Sequence, residues 1–204
     1  MGMKLYYSPM SSSTRVHWAL EELGVPYDKH KVDIKGGEHK TPAYLALNPN
    51  GKVPLMEIDG QPVFESLAML LHLADSYGVE KGLFPKPGAE RLTAYKWMSW
   101  GSVTLNEAMM RLLRNTSDRF PADEKNAAAG AAGKRDVEAC LAIMDAALAG
   151  KEYFLGTFSL VDVSLATWMP FIGRLGVDLA KFANLNAWSG RCMGRPALGR
   201  AMMM

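Results

Sequence analysis

The sequence predicts an α/β domain joined to an all-α domain: a mixed four-stranded sheet with flanking helices, then a helical bundle. Three observations carry this. Short β-type and helical segments alternate up to about Tyr77. A Gly- and Pro-rich run, Gly82-Leu-Phe-Pro85-Lys-Pro87-Gly88, then punctuates the chain. Beyond it, apolar residues recur at helical spacing and no convincing strand follows. The expected domains are residues 1–78 and 89–204, with 79–88 as the linker.

In order, the first part reads as a strand over residues 4–7, a helix over 13–23 and a strand over 27–32. After a turn at Gly36-Gly37 and a short helix near Tyr44, strands over 53–58 and 62–63 flank Asp59-Gly60, a favoured two-residue hairpin turn. A helix opens at Glu65-Ser66, followed by Leu67, Leu70, Leu71 and Leu73. A strand–helix–strand unit implies a parallel crossover, and the tight turn makes the last pair antiparallel.

In the second part, Leu92, Tyr95, Met98, Leu105, Met109 and Leu112 keep helical spacing, as do Val137, Leu141, Met144 and Leu148. The run from Ala127 to Gly133 reads as a helix start, because alanine favours helix and each glycine costs only ~1 kcal/mol there. Ser159, with Asp162 three residues later, is a capping box ahead of Val163, Leu165, Ala166 and Trp168, a folding signal worth ~0.5–2 kcal/mol. Trp97, Trp100, Trp168, Met109 and Met110 fit helix-core positions.

With 204 residues, 49% of them hydrophobic, a sizeable core is expected. The 23 basic and 21 acidic residues leave a net charge of +2 with no basic run, which gives a nucleic-acid partner no support. Cys140 and Cys192 form no Cys-x-x-Cys pair, so a reducing cytoplasm is expected and no disulfide is invoked. No apolar run approaches the ~20 residues of a membrane span, and Met3 to Tyr7 reads as a strand rather than a basic-then-apolar leader. His17, His30 and His72 show no metal-ligand spacing, so no metal is expected. Met1-Gly2 and Met202 to Met204 carry no functional reading.

The richest stretch runs from Asn48 to Ser66: Asn-Pro-Asn-Gly-Lys-Val-Pro-Leu-Met-Glu-Ile-Asp-Gly-Gln-Pro-Val-Phe-Glu-Ser. An X-Pro bond is the one peptide link at which the cis form is commonly found. A cis Val53-Pro54 would turn the Val53 amide and carbonyl outward, where they can pair with an extended peptide-like ligand. The helix start at Ser66 offers amides and a hydroxyl to a carboxylate. Together these form a clamp for a small peptide.

These features, with Tyr7-Ser-Pro-Met-Ser11-Ser-Ser-Thr-Arg15 ahead of them, resemble the glutathione S-transferases over nearly the whole chain, and within them the serine-type theta and delta classes and their bacterial relatives. The resemblance implies an N-terminal thioredoxin-like domain and a C-terminal all-helical domain. It implies a serine at the first-helix N-terminus serving the thiol of glutathione. Ser11 is the expected donor; Ser12, Ser13 and Tyr7 are the alternatives, because three serines in a row blur the register. A thiol with a pKa near 8.5 is mostly protonated at neutral pH, and a hydroxyl donor at the positive end of a helix favours the thiolate.

By the same resemblance, Glu65 accepts the ligand's α-ammonium, Ser66 the γ-glutamyl carboxylate, and His39 and Lys52 the glycine carboxylate, while Val53 beside Pro54 pairs with the cysteinyl unit. The bland alternatives are that Glu65 and Ser66 only cap a helix and that Lys52 and His39 are solvated loop residues. Thr104, Ala108 and Arg111 are the expected electrophile-pocket residues, and Arg15 makes a structural ion pair or shapes the first helix. With no cysteine in residues 1–139, a first-helix cysteine chemistry is excluded. The expected function is conjugation of glutathione to a hydrophobic electrophile in a cytoplasmic homodimer, with glutathione as co-substrate and no cofactor. In many members of that family an acidic side chain on the first long helix of the bundle reaches across the dimer; here Glu107 is the only acidic residue in the middle of that helix, and the sequence does not fix its register for such a contact. Glutathione-dependent dehalogenation, isomerisation or peroxide reduction, and a non-catalytic glutathione-binding scaffold, are the alternatives.

Overall fold

The computed structural model describes residues 2–202; Met1, Met203 and Met204 lie outside them. The described residues form two compact units: those up to Lys86 together with those from Gly194 onward, and Pro87–Met193.

In the first unit the strands β1 (Met3–Tyr7), β2 (Asp28–Lys31), β3 (Leu55–Ile58) and β4 (Gln61–Phe64) form one sheet in the order β2-β1-β3-β4. β1 and β2 are parallel, joined through helix α1 (Ser13–Leu23), and the other two pairings are antiparallel. The hairpin turns at Asp59 and Gly60 with φ of 50° and 82°, the pair of positive values that a tight primed turn requires. Pro62, which has no N–H, lies in the edge strand β4, where no further ladder needs one.

Alternation along β1 buries Met3, Leu5 and Tyr7. Tyr7 meets His17 of α1 with ring centroids 5.3 Å apart, which places α1 on that face. Helix α3 (Ser66–Leu73) packs beside α1. Tyr6 points the other way, into a cluster of Val32, Tyr44, Leu47, Val53 and Leu55 under the short helix α2 (Pro42–Leu47). Thr41 accepts the Tyr44 amide at 3.3 Å as the cap of α2, and Pro42 supplies its preset first turn.

The second unit is helical. α4 (Ala89–Trp100) runs into α5 (Asn106–Thr116) through one wide turn, Gly101–Leu105, where a Cβ on Gly101 would lie 2.5 Å from Leu165 Cδ2. α6 (Ala127–Ala147) starts where expected, with Asn126 Oδ1 accepting the Ala129 amide at 2.9 Å. Its two early glycines do more than begin a helix. A Cβ at Gly133 would lie 2.6 Å from the Leu112 nitrogen, and one at Gly130 would lie 3.2 Å from Thr116 Cγ2. The alanine–glycine run is therefore the groove into which α5 packs.

α7 (Leu160–Ala166), α8 (Met169–Arg174) and α9 (Ala183–Met193) complete this unit. At the start of α7, Asp162 accepts from the Ser159 amide and hydroxyl, both at 2.9 Å. The same carboxylate takes the Trp188 indole N–H at 2.8 Å and the Phe154 amide at 3.2 Å, so the capping pair is also a buried hub. Burial pushes the Asp162 carboxyl up while these donors pull it down. Cys140 and Cys192 are both buried. No helix among the described residues is long and apolar enough to cross a membrane.

The chain's end departs from the expected 89–204 domain. Helix α10 (Pro196–Met202) belongs to the first unit and packs on α1, burying Ala197, Leu198 and Ala201. Two ion pairs, Arg195 with Glu22 and Arg200 with Glu21, hold it there.

Candidate functional site

The loop before β3 is held from beneath by side chains. Tyr44 Oη and Asn48 Nδ2 both donate to the Lys52 carbonyl, at 2.8 and 2.7 Å, and Lys40 Nζ donates to the Gly51 carbonyl at 3.1 Å. Burial, with Glu38 nearby, pushes the Tyr44 phenol up to about 12, so it remains a neutral donor. Gly51 has φ of 55°, and a Cβ there would meet the His39 carbonyl at 2.9 Å; the turn accepts only glycine. Val53-Pro54 is cis. The Val53 carbonyl faces the start of α1, where Ser12 Oγ donates to it at 3.2 Å and occupies one of its two lone pairs.

At the mouth of α1 the three serines have different surroundings. Ser13 is 1% exposed, the first residue of the helix, and out of reach of any ligand. Ser11 and Ser12 are half-buried. The Ser11 hydroxyl donates to the Ser8 carbonyl at 2.7 Å, accepts the Ser13 amide at 3.1 Å and lies 2.9 Å from Ser13 Oγ. Tyr7 is buried, with its ring against His17, as a packing residue would be. Complete burial pulls the Arg15 guanidinium down to about 10, so it still carries its charge at neutral pH.

Glu65 and Ser66 begin α3. Glu65 holds φ of 72° without being glycine, a conformation costing roughly 1–3 kcal/mol. Its side chain makes no capping bond and is exposed, so capping does not explain the glutamate. Lys52 is also exposed. His39, in a single turn spanning Glu38–Lys40, has a buried Nδ1 with no hydrogen-bond partner. Next to it, Glu38 accepts from the Asp33 amide at 2.7 Å and pairs with His30 at 2.6 Å, which anchors that turn to β2.

In the helical unit, Thr104 is exposed, Ala108 is 5% exposed, and Arg111 binds Asp136 of α6 at 2.6 Å with Glu107 at 3.4 Å. Ala108 is thus a packing residue and Arg111 ties two helices together. A cleft of about 380 Å³ in this unit is lined by Leu113, Phe171 and Leu175 with Arg119 and Arg174, and by none of the three expected residues.

Residues 9–76 match the glutathione S-transferase N-terminal domain and residues 104–196 its C-terminal domain. The chain is 33% identical over 193 residues to glutathione S-transferase GstB of Escherichia coli strain K12, covering 93% of this chain and 92% of that one. The chain belongs to the glutathione S-transferase family. Its enzyme class is that of a glutathione transferase. Among solved structures, a sphingomonad glutathione S-transferase complexed with glutathione is similar with a TM-score of 0.85 and 32% identity, covering 98% of this chain and 97% of that one. A glutathione transferase from Burkholderia graminis, with two glutathione molecules bound per subunit, has a TM-score of 0.87 and 27% identity, covering 98% and 87%.

Sequence reasoning about this transferase missed the residues that support the loop. Lys40, Tyr44 and Asn48 hold the carbonyls of Gly51 and Lys52, yet only Asn48, in an Asn-Pro-Asn-Gly turn, carried a local signal.

Proposed function

We propose that this transferase binds glutathione on its first unit, stabilises the thiolate with the Ser11 hydroxyl and conjugates the sulfur to a hydrophobic electrophile. The observation that carries this is the Ser11 oxygen, half-buried at the α1 mouth and already accepting the Ser13 amide at 3.1 Å. An oxygen so engaged has its own proton left to donate, and a thiolate is a stronger acceptor than the Ser8 carbonyl it now bonds. Lowering a thiol pKa by about two units takes ~2.7 kcal/mol. A hydrogen bond to a charged group supplies ~1.5–3 kcal/mol and a helix N-terminus ~0.3–1 kcal/mol more, which is enough.

The remaining roles follow the clamp. Val53 pairs its backbone with the cysteinyl unit. The exposed Glu65 carboxylate meets the α-ammonium, and its otherwise unexplained strain supports that reading. Ser66 and the first amides of α3 take the γ-glutamyl carboxylate, and Lys52 with His39 the glycine carboxylate. In the reaction a sulfur–carbon bond forms, the leaving group departs with its bonding pair, and the thiol proton passes to water. Glutathione is the co-substrate, and no cofactor enters. The helical unit holds the electrophile, the working unit is a homodimer and the setting is the cytoplasm.

The test is Ser11→Ala with an activated aryl halide. The expected result is about a 100-fold fall in kcat/KM, the equivalent of ~2.7 kcal/mol, with glutathione affinity retained. Full activity in Ser11→Ala with loss in Ser12→Ala would move the role by one residue. Wild-type retention on glutathione resin without turnover would instead favour a scaffold.

A further inference from the structure

We propose that Ser13 is a positioning residue for the thiolate: hidden from any ligand, it acts on the sulfur only through Ser11, by a second hydrogen bond that orients and strengthens the Ser11 donor. The inference rests on the Ser11 reading above.

Four contacts close a ring at the start of α1. The Ser8 amide donates to Ser13 Oγ at 3.4 Å, the two hydroxyl oxygens of Ser13 and Ser11 lie 2.9 Å apart, the Ser13 amide donates to Ser11 Oγ at 3.1 Å, and Ser11 Oγ donates to the Ser8 carbonyl at 2.7 Å. A hydroxyl has one proton. Ser11 places its proton on the Ser8 carbonyl, the shortest contact of the set, so the proton in the 2.9 Å contact belongs to Ser13. Ser13 has no other use for it. At 1% exposure it has no solvent to bond, and a buried hydroxyl is satisfied within the protein.

Ser11 Oγ therefore accepts twice from one residue, from its backbone and from its side chain. Two consequences follow. Donors feeding an oxygen polarise its O–H, and in such chains each bond strengthens the next. The two bonds from Ser13 also fix where the Ser11 oxygen lies. Release from the Ser8 carbonyl to an arriving sulfur then needs rotation of the O–H alone, with the oxygen itself unmoved. Ser12 has a separate duty, since its hydroxyl reaches across to the Val53 carbonyl at 3.2 Å.

The experiment is an ultraviolet titration of the glutathione thiolate bound to wild type, Ser11→Ala, Ser13→Ala, Ser13→Thr and the double alanine variant, with glutathione affinity measured alongside at a pH where the thiol is protonated. Expected is a rise in the bound thiol's pKa of about half a pH unit in Ser13→Ala, roughly a threefold loss of thiolate below the pKa. This rise is smaller than that in Ser11→Ala, affinity is unchanged, Ser13→Thr restores the wild-type value, and the double variant matches Ser11→Ala. Should Ser13→Ala fail to bind glutathione, Ser13→Cys, whose thiol is a weaker donor of similar size, is read in the same way. A Ser13→Ala titration identical to wild type, with Ser11→Ala shifted, overturns the role of Ser13 alone. A further rise when Ser13→Ala is added to Ser11→Ala overturns it too, because Ser13 would then act without Ser11. No shift in Ser11→Ala itself removes the Ser11 reading and this inference together.

Discussion

Arg195 grips Glu22 with two parallel hydrogen bonds, Nε to Oε1 at 2.6 Å and Nη2 to Oε2 at 2.7 Å, across 173 residues of sequence. The Glu22 side chain is 7% exposed and Oε1 also accepts the Trp18 indole N–H at 2.8 Å. The pair fastens α10 to the C-terminal end of α1, the helix whose other end carries Ser11 to Ser13. Glu21 repeats the device with Arg200 at 2.8 Å and with the Tyr27 hydroxyl at 2.7 Å.

The two arginines are expected to differ in worth. Arg195→Ala leaves a buried carboxylate with only the indole for company, a cost of about 2–3 kcal/mol. Arg200, with a side chain 53% exposed, costs less than about 1 kcal/mol when replaced by alanine. Urea unfolding of both variants measures this, and equal small losses would contradict the buried pair's importance.

Gly133→Ala and Gly130→Ala separate helix propensity from packing. Each gains ~1 kcal/mol of propensity. At Gly133 the new methyl would meet Leu112 backbone at 2.6 and 2.9 Å, and backbone cannot step aside cheaply, so a net loss of ~1–2 kcal/mol is expected. At Gly130 the nearest atoms are Thr116 Cγ2 at 3.2 Å and Asn115 Cβ at 3.3 Å, so a shift of only a few tenths of an ångström is needed, and the change is expected to be much milder, near neutral against the gain in propensity. Thermal unfolding of the pair is decisive through its ordering: Gly133→Ala must be the less stable.

His17 makes the fold acid-sensitive. It is 1% exposed between the rings of Tyr7 and Tyr27, its Nε2 has no partner, and burial holds its pKa below the usual histidine value despite Glu21 nearby. A depressed native pKa means that the unfolded chain binds the proton first. The contribution of His17 to stability is therefore constant above about pH 6.5 and falls as pH drops below it, down to the native pKa. His17→Phe is expected to flatten that part of the stability–pH curve in denaturant unfolding series; an unchanged slope would place the sensitivity elsewhere.

Much of the fold and part of the candidate site's local structure were legible because their signals are local. Val53-Pro54, the Asp59-Gly60 turn, the helix limits at residues 13 and 23 and the Ser159–Asp162 pair are each written in adjacent residues. The three serines were not separable on that basis. All suit a helix start, and what distinguishes them is which one the fold buries and which faces the Val53 carbonyl. Ala108 and Arg111 fell on the expected helix, but inward facing and an Asp136 partner 25 residues away depend on how α5 meets α6.

By itself, then, the order of residues determined the strand and helix sequence, the cis-proline loop, the family and the stretch where a γ-glutamyl peptide is expected, since backbone dihedral preferences and turn chemistry act over two to five positions. Only packing decided that residues 194–202 leave the helical bundle for α1, that an alanine–glycine run is a helix crossing, and that Ser13 stands behind Ser11. Those outcomes depend on burial and on pairings between distant charges and hydroxyls, which exist only once the chain has closed on itself.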